Sequence, residues 1–229
     1  GMLFMMASSI DFPFVKCVDL CLCAQKGDFA SRDTFEKLDT VFEGNDRDTI
    51  ILPVTAWQEN VLSTDIVYST ARTPGDWEIE NMIDYIHKKG FRVLFKPMLK
   101  LNDGKSCEEI DFSGSAESEA LWDKWFKNYA KFIFKMAGLA QRTGCSFFSV
   151  GSRFSQSENR EKQWRWLIDS VRNIFSGYIT YEIPADREEN LPWLDALDFL
   201  SVHINNTPAQ FERIKRLASE YNKPYVLYN

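Results

Sequence analysis

Two histidines, His87 and His203, are all this chain has, and its five cysteines never fall in a CxxC pair. Neither set has the spacing that holds a metal ion, so no metal or other cofactor is expected. No GxSxG elbow is present, which argues against a Ser-His-Asp hydrolase. No GxGxxG or GxxxxGK[ST] follows the first apolar run, which removes the commonest nucleotide-binding sites. No apolar run approaches the roughly 20 residues of a membrane span. A net charge of −6 argues against nucleic acid or an anionic membrane as partner. An odd number of cysteines, three of them in the apolar run Cys17-Val-Asp-Leu-Cys-Leu-Cys, favours reduced thiols and a cytoplasmic setting. Gly1-Met2 reads as a tag-cleavage scar; a secreted protein whose leader has been removed is the alternative.

The 229 residues suffice for one large α/β domain, and residues 1–13 read as an N-terminal extension to it. Aromatic residues make up 14% of the chain, which fits either a large core or a cleft that stacks sugar rings. Seven near-continuous apolar runs read as parallel strands buried on both faces: Phe14–Cys23, Thr49–Ala56, Arg92–Met98, Ser146–Gly151, Tyr178–Glu182, Leu197–His203 and Pro224–Asn229. Between them lie helical stripes. Thr73-Pro74 reads as an N-cap and first helical residue ahead of Ile79, Met82, Ile83 and Ile86. Residues 119 to 142, Ser157 to about Phe175, a helix opened by Thr207-Pro208 and a short one over Asp33–Phe42 complete the set.

Repeated strand–helix order leaves a doubly wound sheet or a (β/α)8 (TIM) barrel. Aromatic and polar residues gather at the carboxyl ends of the strands (Trp57, Gln58, Lys96, Arg153, Glu182, His203), as on the top face of a barrel. An eight-stranded barrel is therefore expected, incomplete by one strand. Its first and seventh strands should flank a gap unless residues 3–12 or a second molecule fills it, which makes a homo-oligomer through the open edge a candidate.

Four stretches together resemble a known family: "IILPVTAWQEN" (50–60), "TPGDWEIENMIDYIHKKGFRVLFKPML" (73–99), "WFKNYAKFIFKMAGLAQRTGCSFFSVGSRF" (125–154) and "LPWLDALDFLSV" (191–202). They are similar to the clan A retaining glycoside hydrolases, most closely the family 113 β-mannanase-like enzymes. The resemblance implies a barrel, an oligosaccharide ligand and a site at the strands' carboxyl ends. It also implies two catalytic glutamates, in a VGTEL motif after the fourth strand and a KPVLFTE motif after the seventh. This chain instead has Val150-Gly151-Ser152-Arg153-Phe154 and Lys223-Pro224-Tyr225-Val226-Leu227-Tyr228-Asn229. The acid/base position holds Arg153 and the nucleophile position Asn229.

An always-protonated guanidinium has no proton to give a leaving oxygen, and a neutral amide cannot attack the anomeric carbon. The second acid of the fourth-strand motif is kept as Glu158, but other positions of the family pattern depart. Met98 follows Lys96-Pro97, Ser106-Cys107 replace a Trp-Arg pair, Ile183-Pro184 replace an Asn-Trp pair, and His203 replaces an Asp.

The expected function is therefore a catalytically inactive barrel that recognises a carbohydrate or related polar ligand through Trp57, Gln58, Lys96, Arg153, Glu182 and His203. The alternatives are a subunit role through the open edge, or an active glycosidase with relocated carboxylates such as Glu158 or Glu182 or with carboxylates supplied by another chain. Individual residues carry plainer roles beside these. Trp57 could pack against a loop, Lys96 could pair with a carboxylate, Glu158 could begin the following helix, and His203 could satisfy a local hydrogen bond. Arg153 could bind an anionic sugar or fill the vacated pocket by pairing with Glu182.

Overall fold

In the computed structural model of the chain, residues 4–6, 17–19, 25–43, 48–69, 71–187, 189–203 and 208–228 are described. The strands are β1 (Phe4–Met6), β2 (Cys17–Asp19), β3 (Thr49–Gln58), β4 (Arg92–Leu101), β5 (Phe147–Ser152), β6 (Tyr178–Pro184), β7 (Phe199–His203) and β8 (Tyr225–Tyr228). The helices are α1 (Arg32–Phe42), α2 (Asp76–Lys88), α3 (Ser118–Arg142), α4 (Glu161–Arg172) and α5 (Pro208–Tyr221). One sheet runs in the order β1-β8-β7-β6-β5-β4-β3-β2. From β2 to β8 every pairing is parallel, which is the expected partial TIM-type barrel. Strand β1 comes from the segment expected to fill the gap, and it pairs antiparallel with β8, Phe4 opposite Leu227 and Met6 opposite Tyr225.

Two separate apolar clusters show how the sheet curls. Ile51, Leu94, Phe147, Phe199 and Val226, from five strands, form a small cluster of their own. Their sequence neighbours Ile50, Val93, Phe148, Leu200 and Tyr225 belong to the large cluster shared with the helices. Alternate residues of a strand face opposite sides of the sheet, so the small cluster is the barrel interior and the large one its jacket. One step further along the strands the inward positions turn polar, to Lys96, Ser149, Glu182 and Ser201, which enclose a small cavity together with Ile51 and Leu94.

The aromatic content is mostly jacket. Trp122, Trp125, Trp164 and Trp193 are fully buried. Trp125 stacks on Tyr129 with centroids 4.8 Å apart, and Trp164 stacks on Trp193 at 5.0 Å.

Several boundaries differ from those expected. Helix α2 begins at Asp76 with Gly75 as its N-cap, so Thr73 does not cap it. The Thr73 hydroxyl donates instead to the carbonyl of Thr55 at 2.8 Å. The buried Glu78 accepts from the amide of Gly75 at 3.4 Å and from that of Gly27 at 2.6 Å, tying the start of α2 to the loop before α1. Helix α4 begins at Glu161, not Ser157, with Arg160 at its N-cap position. Strands β3 and β4 run further, to Gln58 and Leu101, because they pair over ten residues each. Trp57 extends that ladder by an antiparallel bridge to Val67. The expected residues Cys21, Cys23, Thr207 and Asn229 lie outside the described residues.

Gly177 sits where no side chain fits. An added Cβ would come within 2.5 Å of the Ser146 carbonyl and 2.6 Å of the Phe175 ring. Gly177→Ala is predicted to destabilise the fold by roughly 1–3 kcal/mol through overpacking, measured as a lower midpoint in urea with an unchanged slope.

Candidate functional site

Strand β5 does not pair regularly with β6. Ser149 faces Thr180 but Ser152 faces Glu182, with an irregularity between them. Such a bulge re-aims the side chains beyond it, and here it brings Ser152 and Arg153 onto Glu182. Arg153 adopts φ 54°, a left-handed backbone unusual for a residue other than glycine. Its amide donates to the carbonyl of Glu182 at 2.9 Å, which helps hold that conformation.

The Glu182 carboxylate, 2% exposed, is surrounded by cations and donors. Lys96 Nζ donates to Oε1 at 2.7 Å and Ser152 Oγ to Oε2 at 2.6 Å. Arg153 Nε lies 3.1 Å from Oε2, at ion-pair distance but not aligned for a hydrogen bond. Burial pushes this carboxyl up, yet the charge and hydrogen bond of Lys96, then Ser152 and Arg153, outweigh it and hold Glu182 below its ordinary value. The Arg153 side chain is 35% exposed and its Nη1 lies 3.6 Å from Glu108, so a chain of alternating charge runs Lys96–Glu182–Arg153–Glu108 out to the surface.

Glu158 does not begin the following helix. Its side chain is 2% exposed and pairs with Arg187. The Tyr181 hydroxyl donates to Glu158 Oε1 at 2.7 Å and accepts from the Phe154 amide at 2.8 Å. Burial holds that phenol well above its ordinary range, so it stays a donor. The indole of Trp193 donates to the Glu158 carbonyl at 2.9 Å, fixing the loop from behind.

Above Arg153 opens a cleft of about 450 Å³, lined by Glu108, Arg153, Ser155, Pro184, Ala185, Asp186, His203 and Gln210. It brings together two of the residues expected at the site, Arg153 and His203, with Glu182 directly beneath the guanidinium. Lys96 is deeper, inside the barrel. Gln58 is buried, accepting from the Trp125 indole at 2.9 Å and donating to the Asn60 carbonyl at 2.9 Å. The half-buried Trp57 carries the Arg72 guanidinium 3.4 Å above its ring, and its Nε1 donates to the Arg72 carbonyl. Neither Trp57 nor Gln58 lines the cleft.

Glu108, Asp186, Arg187 and Ser155 carry no periodic signal, because Glu108 lies in a one-turn 3-10 helix and the others in loops. The signal available was position: each follows the carboxyl end of a barrel strand, where such folds place their sites. Among the described residues no group of His, Cys, Asp and Glu is arranged to hold a metal ion. Cys107 and Cys145 are free thiols. No described helix is long and apolar enough to cross a membrane.

A curled parallel sheet jacketed by helices, with a polar cleft at the strands' carboxyl ends, is the architecture of the barrel glycoside hydrolases. Residues 19–229 match the profile of Glycoside Hydrolase Family 113, and the chain belongs to that family. A solved GH113 β-1,4-mannanase is similar to it with a TM-score of 0.87 and 30% identity, over 93% of this chain and 71% of that one. The GH113 β-mannanase AaManA from Alicyclobacillus acidocaldarius, solved in complex with ManMIm, gives 0.86 and 26%, over 94% and 70%. The exo-β-1,4-mannosidase Op5Man5 from Opitutaceae bacterium strain TAV5 shares the fold, with a TM-score of 0.54 and 11% identity, over 83% and 38%. No curated protein matches the chain.

Removing the Glu182 charge takes the shared carboxylate away from the buried Lys96 and from Arg153. Glu182→Gln is predicted to cost about 3–5 kcal/mol, whereas Arg153→Met, which leaves Lys96–Glu182 paired, costs clearly less; urea unfolding of both variants checks this. A carboxyl held low in the folded state stabilises fully above its unfolded value of about 4.3 and loses that contribution as pH falls through the lower folded value. The acid limb of the stability–pH curve is therefore predicted to be shallower in Glu182→Gln than in the unsubstituted protein.

Proposed function

We propose that this family 113 barrel binds a β-1,4-linked manno-oligosaccharide or a closely related glycan at the carboxyl-end cleft without hydrolysing it. The observation that carries this is Arg153, in the position the family resemblance assigns to the acid/base, paired with Glu182 at the base of the cleft. Retaining hydrolysis needs two carboxyl groups roughly 5 Å apart, one protonated to donate and one free to attack. The guanidinium supplies neither, and its positive charge opposes the oxocarbenium-like centre that forms in the transition state.

The two buried acids nearest that position are both occupied. Glu182 is held ionised by Lys96, Ser152 and Arg153, so it has no proton to give, and it is buried too deeply to attack a sugar. Glu158 is buried against Tyr181 and Arg187. The ligand class is supported by two relatives, one a GH113 β-1,4-mannanase and one a GH113 β-mannanase solved in complex with ManMIm. Binding is supported by the cleft, which remains open and polar and has the size of a small-ligand site.

Calorimetry against manno- and gluco-oligosaccharides, run beside a turnover assay on β-1,4-mannan and aryl β-mannosides, tests this. The expected outcome is saturable binding of at least one manno-oligosaccharide and no product. Turnover that disappears in Glu158→Gln or Glu182→Gln would establish relocated catalysis instead, and a flat titration with every glycan would remove the binding role.

A further inference from the structure

Inside the barrel, where its interior turns from apolar to polar, lies a small cavity of about 10 Å³. Two of its lining residues are apolar, Ile51 of β3 and Leu94 of β4. The others are polar: Lys96 of β4, Ser149 of β5, Glu182 of β6 and Ser201 of β7. All of these polar residues are buried, from 1% exposed at Glu182 to 5% at Lys96. A water molecule needs about 10–15 Å³ and two to four polar partners to be held inside a protein. The cavity has the partners, and it has room for a single molecule.

The hydrogen bonds already made there decide which groups donate and which accept. Thr180 Oγ1 gives its only proton to the Phe199 carbonyl at 2.9 Å. Ser201 Oγ, 2.8 Å from Thr180 Oγ1, is therefore the donor of that pair. With its proton spent, the Ser201 oxygen still accepts. Ser149 is in the same state, because its Oγ donates to the Gly151 carbonyl at 3.1 Å. Lys96 Nζ is the opposite, a group with protons to give and no lone pair to accept with. It donates to Glu182 Oε1 at 2.7 Å and also lines the cavity.

This lining suits a small molecule that accepts from an ammonium and donates to two hydroxyls. Water has the two protons and the lone pair that this requires. Ions fit less well: a cation would face the Lys96 ammonium, and an anion the Glu182 carboxylate.

We propose that the cavity binds one internal water molecule, which accepts a hydrogen bond from Lys96 Nζ and donates one to each of Ser149 Oγ and Ser201 Oγ. The water links β4, β5 and β7 across the barrel interior, beside the Lys96–Glu182 pair that links β4 to β6. It helps to orient the ammonium that keeps Glu182 ionised. The water site is independent of the carbohydrate-binding role and stands whether or not a glycan binds.

A high-resolution crystal structure of the full chain locates such a water, and oxygen-17 magnetic relaxation dispersion counts long-lived internal waters in solution. An ordered water is expected about 2.7–3.2 Å from Lys96 Nζ, Ser149 Oγ and Ser201 Oγ. Ser201→Thr and, separately, Ser149→Thr keep the hydroxyl and add a methyl group that competes for the space. Either substitution is expected to expel the water and to lower the count of long-lived waters by about one. Loss in one of the two supports the site; an unchanged count in both overturns it. A cavity that is dry in the crystal of the unsubstituted protein, that holds an ion, or whose water bonds neither serine also overturns it. That crystal decides the matter even where a variant fails to fold.

Discussion

The buried carboxylate of Glu182 is the group on which the rest of the site depends. It sits where the barrel interior changes from apolar to polar, and without partners it would be too costly to keep ionised there. Lys96 from β4, Ser152 from the end of β5 and Arg153 from the first loop residue all converge on it. The bulge in β5 and the left-handed backbone of Arg153 both serve that convergence, and strain of this kind persists only where surrounding contacts over-determine it. Here the contacts are the hydrogen bond that the Arg153 amide donates to the Glu182 carbonyl and the ion pairs to Glu182 and Glu108. The guanidinium thus completes a charge-balanced base to the cleft, in the position that the family resemblance gives to a proton donor.

A second ion pair, Glu158 with Arg187, does a parallel job one loop further out. It is backed by Tyr181 and Trp193 from the aromatic jacket, so the packing of the core and the position of the loop after β5 are linked through a few residues. The stacked Trp164 and Trp193 are therefore buried support for that loop. Loops carried on a rigid barrel are where this architecture places recognition, and Arg153 and Glu158 lie on such a loop.

The strands were legible because a parallel sheet covered on both faces reads as uninterrupted apolar runs, and all seven such runs correspond to strands. The helices were legible from their stripes. Their starts were less so: Thr73-Pro74 has the form of a cap, but the Thr73 hydroxyl had a tertiary partner in Thr55 that no local pattern discloses. The barrel interior could be glimpsed at Lys96 and Glu182, polar residues inside apolar runs, although their direct pairing is a matter of register between strands far apart in sequence. Trp57 and Gln58 stood out by type and position, yet Trp125, Asn60 and Arg72 engage them, and those partners come from neighbouring loops and a helix. Arg187 and Glu108 gave no sequence signal beyond following a strand end.

The chain belongs to family 113, and the function proposed for it takes its carbohydrate ligand from the relatives and its lack of hydrolysis from the charges at the base of the cleft. The claim at the centre of this account is that Glu182 is ionised at neutral pH between Lys96 and Arg153. Carbon-13 NMR of the protein labelled at the glutamate carboxyl carbons, with Glu182→Gln used to assign the resonance, measures this directly. The account predicts a Glu182 carboxyl that remains ionised through neutral pH and titrates below the ordinary glutamate range. A Glu182 resonance that titrates above that range, or is protonated at neutral pH, would contradict it and return a proton donor to the site.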